Sequence, residues 1–281
     1  MSTVTAPTYA RTVRKESGGP GLLLAHGGGG SVDRNFGPVL DGLAARHSVV
    51  GVDYPGTGGT PRADHTLTVD ELADELVAAA DAEGLDRFAV LGYSLGGHVA
   101  TRVASRHPER VSALVLTATF ARADNRLSLV TGLWSELAGR GETGLLAKVL
   151  VPLVLSPGVL ESLTPQELAE TVAATAAVFP PGGGDHAALV PGADMRAELA
   201  SLDVPVLVIA TTADRLVPLP LQREVADSVA GARWAELATG HLLFAERPAE
   251  WEALISEFLA EAEAEAEAEA EGVTGATGAA R

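Results

Sequence analysis

Apolar residues fall along the chain in two rhythms. Short unbroken runs occur at 22–24, 48–52, 88–91, 111–116 and 204–209, most of them ending at glycine, aspartate or threonine. Runs that are apolar throughout, rather than alternating, suit strands buried on both faces of a sheet. Between them lie patterns of helical period. One begins at Thr68, with Glu71 three positions on as a capping-box partner, and carries Val69, Leu72, Leu76 and Ala80 on one face. Another covers 95–107, with Val99 and Val103 four apart. Strand, helix and strand in alternation predict an α/β fold, a mainly parallel sheet flanked by helices.

The alternation breaks between about 120 and 200, where helical segments follow one another without a strong strand. Thr164-Pro165-Gln166-Glu167 is a helix start, and Pro180-Pro181-Gly182-Gly183-Gly184 is a loop by composition. The expected organisation is a core of 1–119 and 201–260, a helical cap inserted at 120–200, and an acidic tail at 261–281. A helical insertion after a central strand would lie over the carboxyl edge of the sheet, where open α/β folds bind ligands.

Composition narrows the function. A net charge of −17 argues against a nucleic-acid partner, which calls for a basic face. Part of that charge sits in the run EFLAEAEAEAEAEAE at 257–271, read as a solubilising helix that frays outward into a flexible GVTGATGAAR end. The absence of cysteine leaves no disulfide framework, and no stretch near the start resembles a signal peptide, so the expected compartment is the cytoplasm. No uncharged apolar run reaches the roughly 18 residues of a membrane span. The histidines His47, His65, His98, His107 and His186 lack metal-ligand spacing and read as surface or packing residues.

Gly92-Tyr93-Ser94-Leu95-Gly96 occurs at the junction of a predicted strand and a predicted helix. A serine there sits on a sharp, strained turn with its hydroxyl raised above the sheet. Such a serine needs a base. His241, in a loop after the predicted strand at 232–237, supplies an imidazole, the side chain most often used as a general base. Asp214, past the run at 204–209, would orient that imidazole. Asp124 is the second choice, and Asp203 is weaker because it precedes its strand.

With the glycine-rich loop His26-Gly27-Gly28-Gly29-Gly30, the loop Asp53-Tyr54-Pro55-Gly56-Thr57-Gly58, Thr212-Ala213-Asp214 and Gly240-His241, the sequence resembles the α/β-hydrolase superfamily from about 21 to 259. The order Ser, Asp, His is the one that superfamily uses. The resemblance implies an oxyanion hole made by the backbone N–H groups of Gly28 and Leu95, with His26 holding its loop. Phe36, Tyr93, Phe120, Trp134 and Phe179 are the candidate walls of the substrate pocket.

The implied activity is a serine hydrolase acting on a carboxylic ester, lactone or thioester with an apolar portion, with no organic cofactor and no metal. A carbon–carbon hydrolase or lyase using the same three residues is the enzymatic alternative. A ligand-binding protein on the same scaffold is the alternative of another class. Neither natural substrate nor oligomeric state is specified by the sequence.

Overall fold

Leu22 and Leu24 point to one side of their strand and Leu23 to the other, and all three are fully buried. That arrangement requires cover on both faces, and it explains why the run is continuous. The computed structural model describes residues 8–278, and their side chains to residue 268. Seven strands among these residues form one sheet: β1 (Arg11–Arg14), β2 (Gly21–Ala25), β3 (Ser48–Val52), β4 (Phe88–Tyr93), β5 (Val111–Thr117), β6 (Val206–Thr211) and β7 (Arg233–Leu237). Their spatial order is β1-β3-β2-β4-β5-β6-β7, parallel throughout except for β1, which runs antiparallel to β3. β1 shows no strand pattern in the sequence because its residues, Arg-Thr-Val-Arg, carry charge on an edge, where charge discourages further strand pairing.

Helices α1 (Val32–Ala44), α2 (Val69–Ala82) and α3 (Leu95–Arg106) connect the early strands. Phe36, Val39, Leu40 and Leu43 of α1 pack on the Leu22/Leu24 face, while Leu72 and Leu76 of α2 and Val99 and Val103 of α3 pack on the other. Thr68 caps α2 by accepting the Glu71 N–H, but the reciprocal half of the expected box is absent because the Glu71 carboxylate accepts from Tyr9 and His65 instead.

Between β5 and β6 the chain forms α4 (Asn125–Gly139), α5 (Thr143–Val154), α6 (Pro157–Ser162), α7 (Pro165–Ala177), α8 (Gly183–Leu189), a single 3₁₀ turn and α9 (Arg196–Ala200). α7 opens with the full capping box of Thr164 and Glu167. α10 (Leu219–Asp227) precedes β7, and α11 (Leu243–Glu246) and α12 (Pro248–Gly278) close the fold. Trp251, Ile255, Phe258 and Leu259 fasten the first turns of α12 beside α1. The backbone stays helical through Gly278, past 272–278 where the glycine-bearing end was expected to leave the helix; residues 279–281 of that end lie outside the described residues. No helix among the described residues is long and apolar enough to cross a membrane.

Candidate active site

β4 ends at Tyr93 and α3 begins at Leu95, so Ser94 makes the whole turn, at φ 54° and ψ −120°. A side chain at this backbone conformation is strained by on the order of 1–3 kcal/mol, and the surroundings must hold it. Three hydrogen bonds do so. Ser94 N–H donates to Thr117 O at 2.9 Å, and Ser94 O accepts from Gly97 N–H at 2.9 Å and from the Thr119 hydroxyl at 2.8 Å. The flanking glycines are required by space. A Cβ on Gly96 would lie 1.9 Å from Ala25 O, and one on Gly92 would lie 2.5 Å from Gly96 O.

His241 and Asp214 reach this serine from the loops after β7 and β6. His241 Nε2 lies 3.0 Å from Ser94 Oγ, and His241 Nδ1 lies 2.7 Å from Asp214 Oδ2. The carboxylate is buried and also accepts from the Thr211 hydroxyl (3.0 Å), Leu216 N–H (2.8 Å) and Val217 N–H (2.9 Å). With Nδ1–H donated to Asp214, the imidazole presents a bare Nε2 to the serine hydroxyl, the arrangement a general base needs. The Tyr93 hydroxyl donates to His241 O at 2.9 Å and fixes the backbone beneath the ring. Asp124, the second choice for the acid, instead caps α4 by accepting Leu127 N–H at 2.7 Å, and Asp203 is exposed ahead of β6.

The glycine-rich loop lies beside the turn. In it Gly27 N–H donates to Asn35 Oδ1 (3.0 Å), Gly29 N–H to His186 Nδ1 (3.1 Å) and Gly30 N–H to Gly27 O (3.0 Å). Gly28 N–H is thus left without a protein acceptor among the described residues, as is Leu95 N–H at the first position of α3. The two residues adjoin, since a Cβ on Gly28 would be 3.7 Å from Leu95 Cδ2. Two free N–H groups beside a serine hydroxyl can receive a developing oxyanion.

His26 holds the loop from below. Its Nδ1–H donates to Gly27 O at 2.8 Å and its Nε2 accepts Tyr54 N–H at 2.9 Å. Burial, reinforced by the neighbouring His186, pushes its pKa down to about 3. His186, on α8, has no exposed surface. It accepts from Gly29 N–H and donates from Nε2 to Pro55 O at 3.0 Å, and burial lowers its pKa to about 4. Its burial fits the packing half of the expectation, and its two hydrogen bonds add to it: a helix between β5 and β6 supplies a support for the loop beside Ser94. The contact joins residues 157 positions apart, so no local spacing reports it.

A cavity of about 220 Å³ opens above Ser94, between the carboxyl edge of the sheet and helices α4, α5, α7 and α8. Of the predicted wall residues, Tyr93, Phe120, Trp134 and Phe179 line it, and the Trp134 and Phe179 rings meet edge to face at 5.8 Å. Phe36 does not. It is fully buried against Trp251, ring centroids 5.7 Å apart, because one step along α1 rotates a side chain by about 100°. Asn35 takes the cavity side instead. A polar residue interrupting the apolar stripe Val32, Phe36, Val39 was the available signal for it. No group of three or more His, Asp or Glu among the described residues is placed to hold a metal ion.

Comparison with known proteins agrees with this architecture. A family model described as the alpha/beta hydrolase fold matches residues 20–146. A pyrrolizixenacetamide deacetylase of Xenorhabdus hominickii is 30% identical over 243 residues, 86% of this chain and 91% of that protein. RutD of Azorhizobium caulinodans, a candidate carbamate hydrolase, is 31% identical over 87% of this chain and 92% of its own. The enol-lactonase of Burkholderia xenovorans LB400 superposes with a TM-score of 0.78 at 24% identity, over 89% of this chain and 96% of its own, a likeness of fold. On these relationships the chain belongs to the α/β-hydrolase fold family and is a hydrolytic enzyme.

Proposed function

We propose that the chain cleaves a carboxylic ester, lactone or thioester through an acyl-enzyme on Ser94. The observation that carries this reading is the continuous chain of hydrogen bonds from Ser94 Oγ through His241 to Asp214, at 3.0 Å and 2.7 Å. His241 Nε2 takes the serine proton as Oγ attacks the carbonyl carbon, and Asp214 stabilises the imidazolium. The carbonyl oxygen gains negative charge and is met by Gly28 N–H and Leu95 N–H, each donor worth roughly 3 kcal/mol of barrier in comparable sites. The imidazolium then protonates the leaving alcohol or thiol as its bond to carbon breaks. Water, deprotonated by the same nitrogen, releases the acid and restores Ser94.

The mainly apolar walls of the cavity suit a small-molecule substrate with an apolar portion. Residues 120–200 act in this reading as a cap that roofs the site. A second reading keeps the mechanism and changes the leaving group. The names of the two relatives, a deacetylase and a candidate carbamate hydrolase, favour an acetamide or carbamate as the bond cleaved. The test is intact-mass analysis after treatment with a fluorophosphonate probe, beside the Ser94→Ala variant. One adduct on the native protein and none on the variant is expected, followed by turnover on ester, lactone, thioester, amide and carbamate panels. An equal adduct on both proteins, or none on either, overturns the assignment of Ser94.

A further inference from the structure

Three lining residues of the cavity, Arg34, Asn35 and Trp134, carry side-chain N–H groups without a protein acceptor among the described residues. Arg34, in the first turn of α1, is the one Lys, Arg, Asp or Glu among the lining residues. It has no carboxylate within ion-pair distance among the described residues, in a chain that carries a net charge of −17. Its Nη1 donates to Val178 O at 2.8 Å, which leaves Nε and Nη2 without a protein acceptor. Next to it, Asn35 is 6% exposed and spends Oδ1 on Gly27 N–H, so the orientation of its amide is fixed and Nδ2 faces no acceptor among the described residues. The Trp134 indole N–H of the same lining is buried and likewise unpartnered.

Arg34 is exposed at the rim of the cavity, so its free nitrogens meet solvent until a ligand arrives, and a guanidinium beside an apolar cavity in a strongly acidic protein is available to an anion. The geometry points to an anion subsite formed by Arg34 and Asn35: the substrate is an acyl compound that carries a carboxylate or another anionic group away from the scissile carbonyl. Charge-assisted pairing with Arg34 selects that substrate over its neutral counterpart, and the Asn35 amide, which lines the same cavity, offers the substrate a further donor. The inference rests on the acyl-transfer reading for its chemistry and on the cavity alone for its binding.

Two matched pairs test it: p-nitrophenyl hemiglutarate against its methyl ester, with the anion on the acyl side, and 4-acetoxybenzoate against methyl 4-acetoxybenzoate, with the anion on the leaving group. The expected result is that kcat/KM favours the anionic member of at least one pair by about tenfold, roughly 1.4 kcal/mol. Arg34→Ala should erase that preference, Arg34→Lys should keep part of it, and Asn35→Asp, which retains an acceptor for Gly27, should reverse it. Calorimetric affinities for Ser94→Ala, measured with the same pairs, decide the point even where no ester turns over, so failure of the acyl-transfer reading is separated from failure of this one. No preference for either anionic member overturns the proposal. So does an equal loss on both members in Arg34→Ala, which would assign the arginine to pinning Val178 alone.

Discussion

His186 accepts the Gly29 N–H from across the cavity, 3.1 Å from donor to ring nitrogen, while its other nitrogen donates to Pro55 O at 3.0 Å. One side chain therefore ties the loop that carries Gly28 to the loop after β3, and it does so from α8. The rest of that junction is equally tight. Gly182 N–H donates to Gly56 O at 3.0 Å, and the Arg62 guanidinium grips Asp185 through two hydrogen bonds of 2.6 and 2.8 Å. The residues between β5 and β6 thus hold the glycine-rich loop as well as lining the cavity, and in the proposed mechanism that loop receives the oxyanion.

Replacing His186 by Ala is expected to lower kcat roughly tenfold to a hundredfold on any substrate the enzyme turns over. In the proposed mechanism, loss of the ring frees Gly29 and lets Gly28 N–H drift, and an oxyanion donor acts most strongly in the transition state. KM should change little, because ground-state contacts with the apolar walls remain. Steady-state kinetics on the native and variant proteins check this. A rise in KM at constant kcat would assign His186 to substrate binding instead.

How far the sequence foretold this arrangement depended on the range of the interaction. The strands of the core were legible because double burial makes continuous apolar runs, and the turn at Ser94 because Gly92 and Gly96 have no room for a Cβ. Ser94, Asp214 and His241 could be proposed because each follows a strand that ends at the same sheet edge. What escaped depends on contacts that sequence spacing does not encode. His186 acts through a loop 157 positions away. The choice between Asn35 and Phe36 turns on a single step of helix rotation, and β1 lacks an apolar pattern because it is an edge.

The strain at Ser94 has a thermodynamic consequence. At φ 54° and ψ −120° only glycine is at ease, so Ser94→Gly should stabilise the fold by on the order of 1 kcal/mol, after subtracting the entropy glycine adds to the unfolded chain. Ser94→Ala keeps the Cβ and should not share the gain. For a chain of this length the difference corresponds to a Tm about 2 °C higher for the glycine variant. Differential scanning calorimetry on the two variants side by side checks it, and equal melting temperatures would mean that the turn is relaxed around a side chain.

Three buried histidines set the acid limit of the fold. Burial is the largest cause in each case: His26 is pushed down to about 3, and His98 and His186 to about 4, from an ordinary value near 6.5. A depressed folded-state pKa means that the unfolded chain binds a proton the folded one refuses. The stability these groups allow is therefore complete above pH 6.5 and is lost as pH falls from there toward 4. Each contributes a slope of about 1.4 kcal/mol per pH unit within that window, so the three together approach 4 kcal/mol per unit between pH 6 and 5. His65 shifts the other way beside Glu71 and Asp64, which puts its effect above pH 6.5, and Asp194, held down to about 2 by Arg196, acts only below about pH 4. Urea midpoints measured from pH 7.5 to 5 should fall steeply below pH 6.5. In His186→Gln the slope should drop by about one proton; an unchanged slope would mean that His186 is already charged in the folded protein, with the Gly29 bond broken.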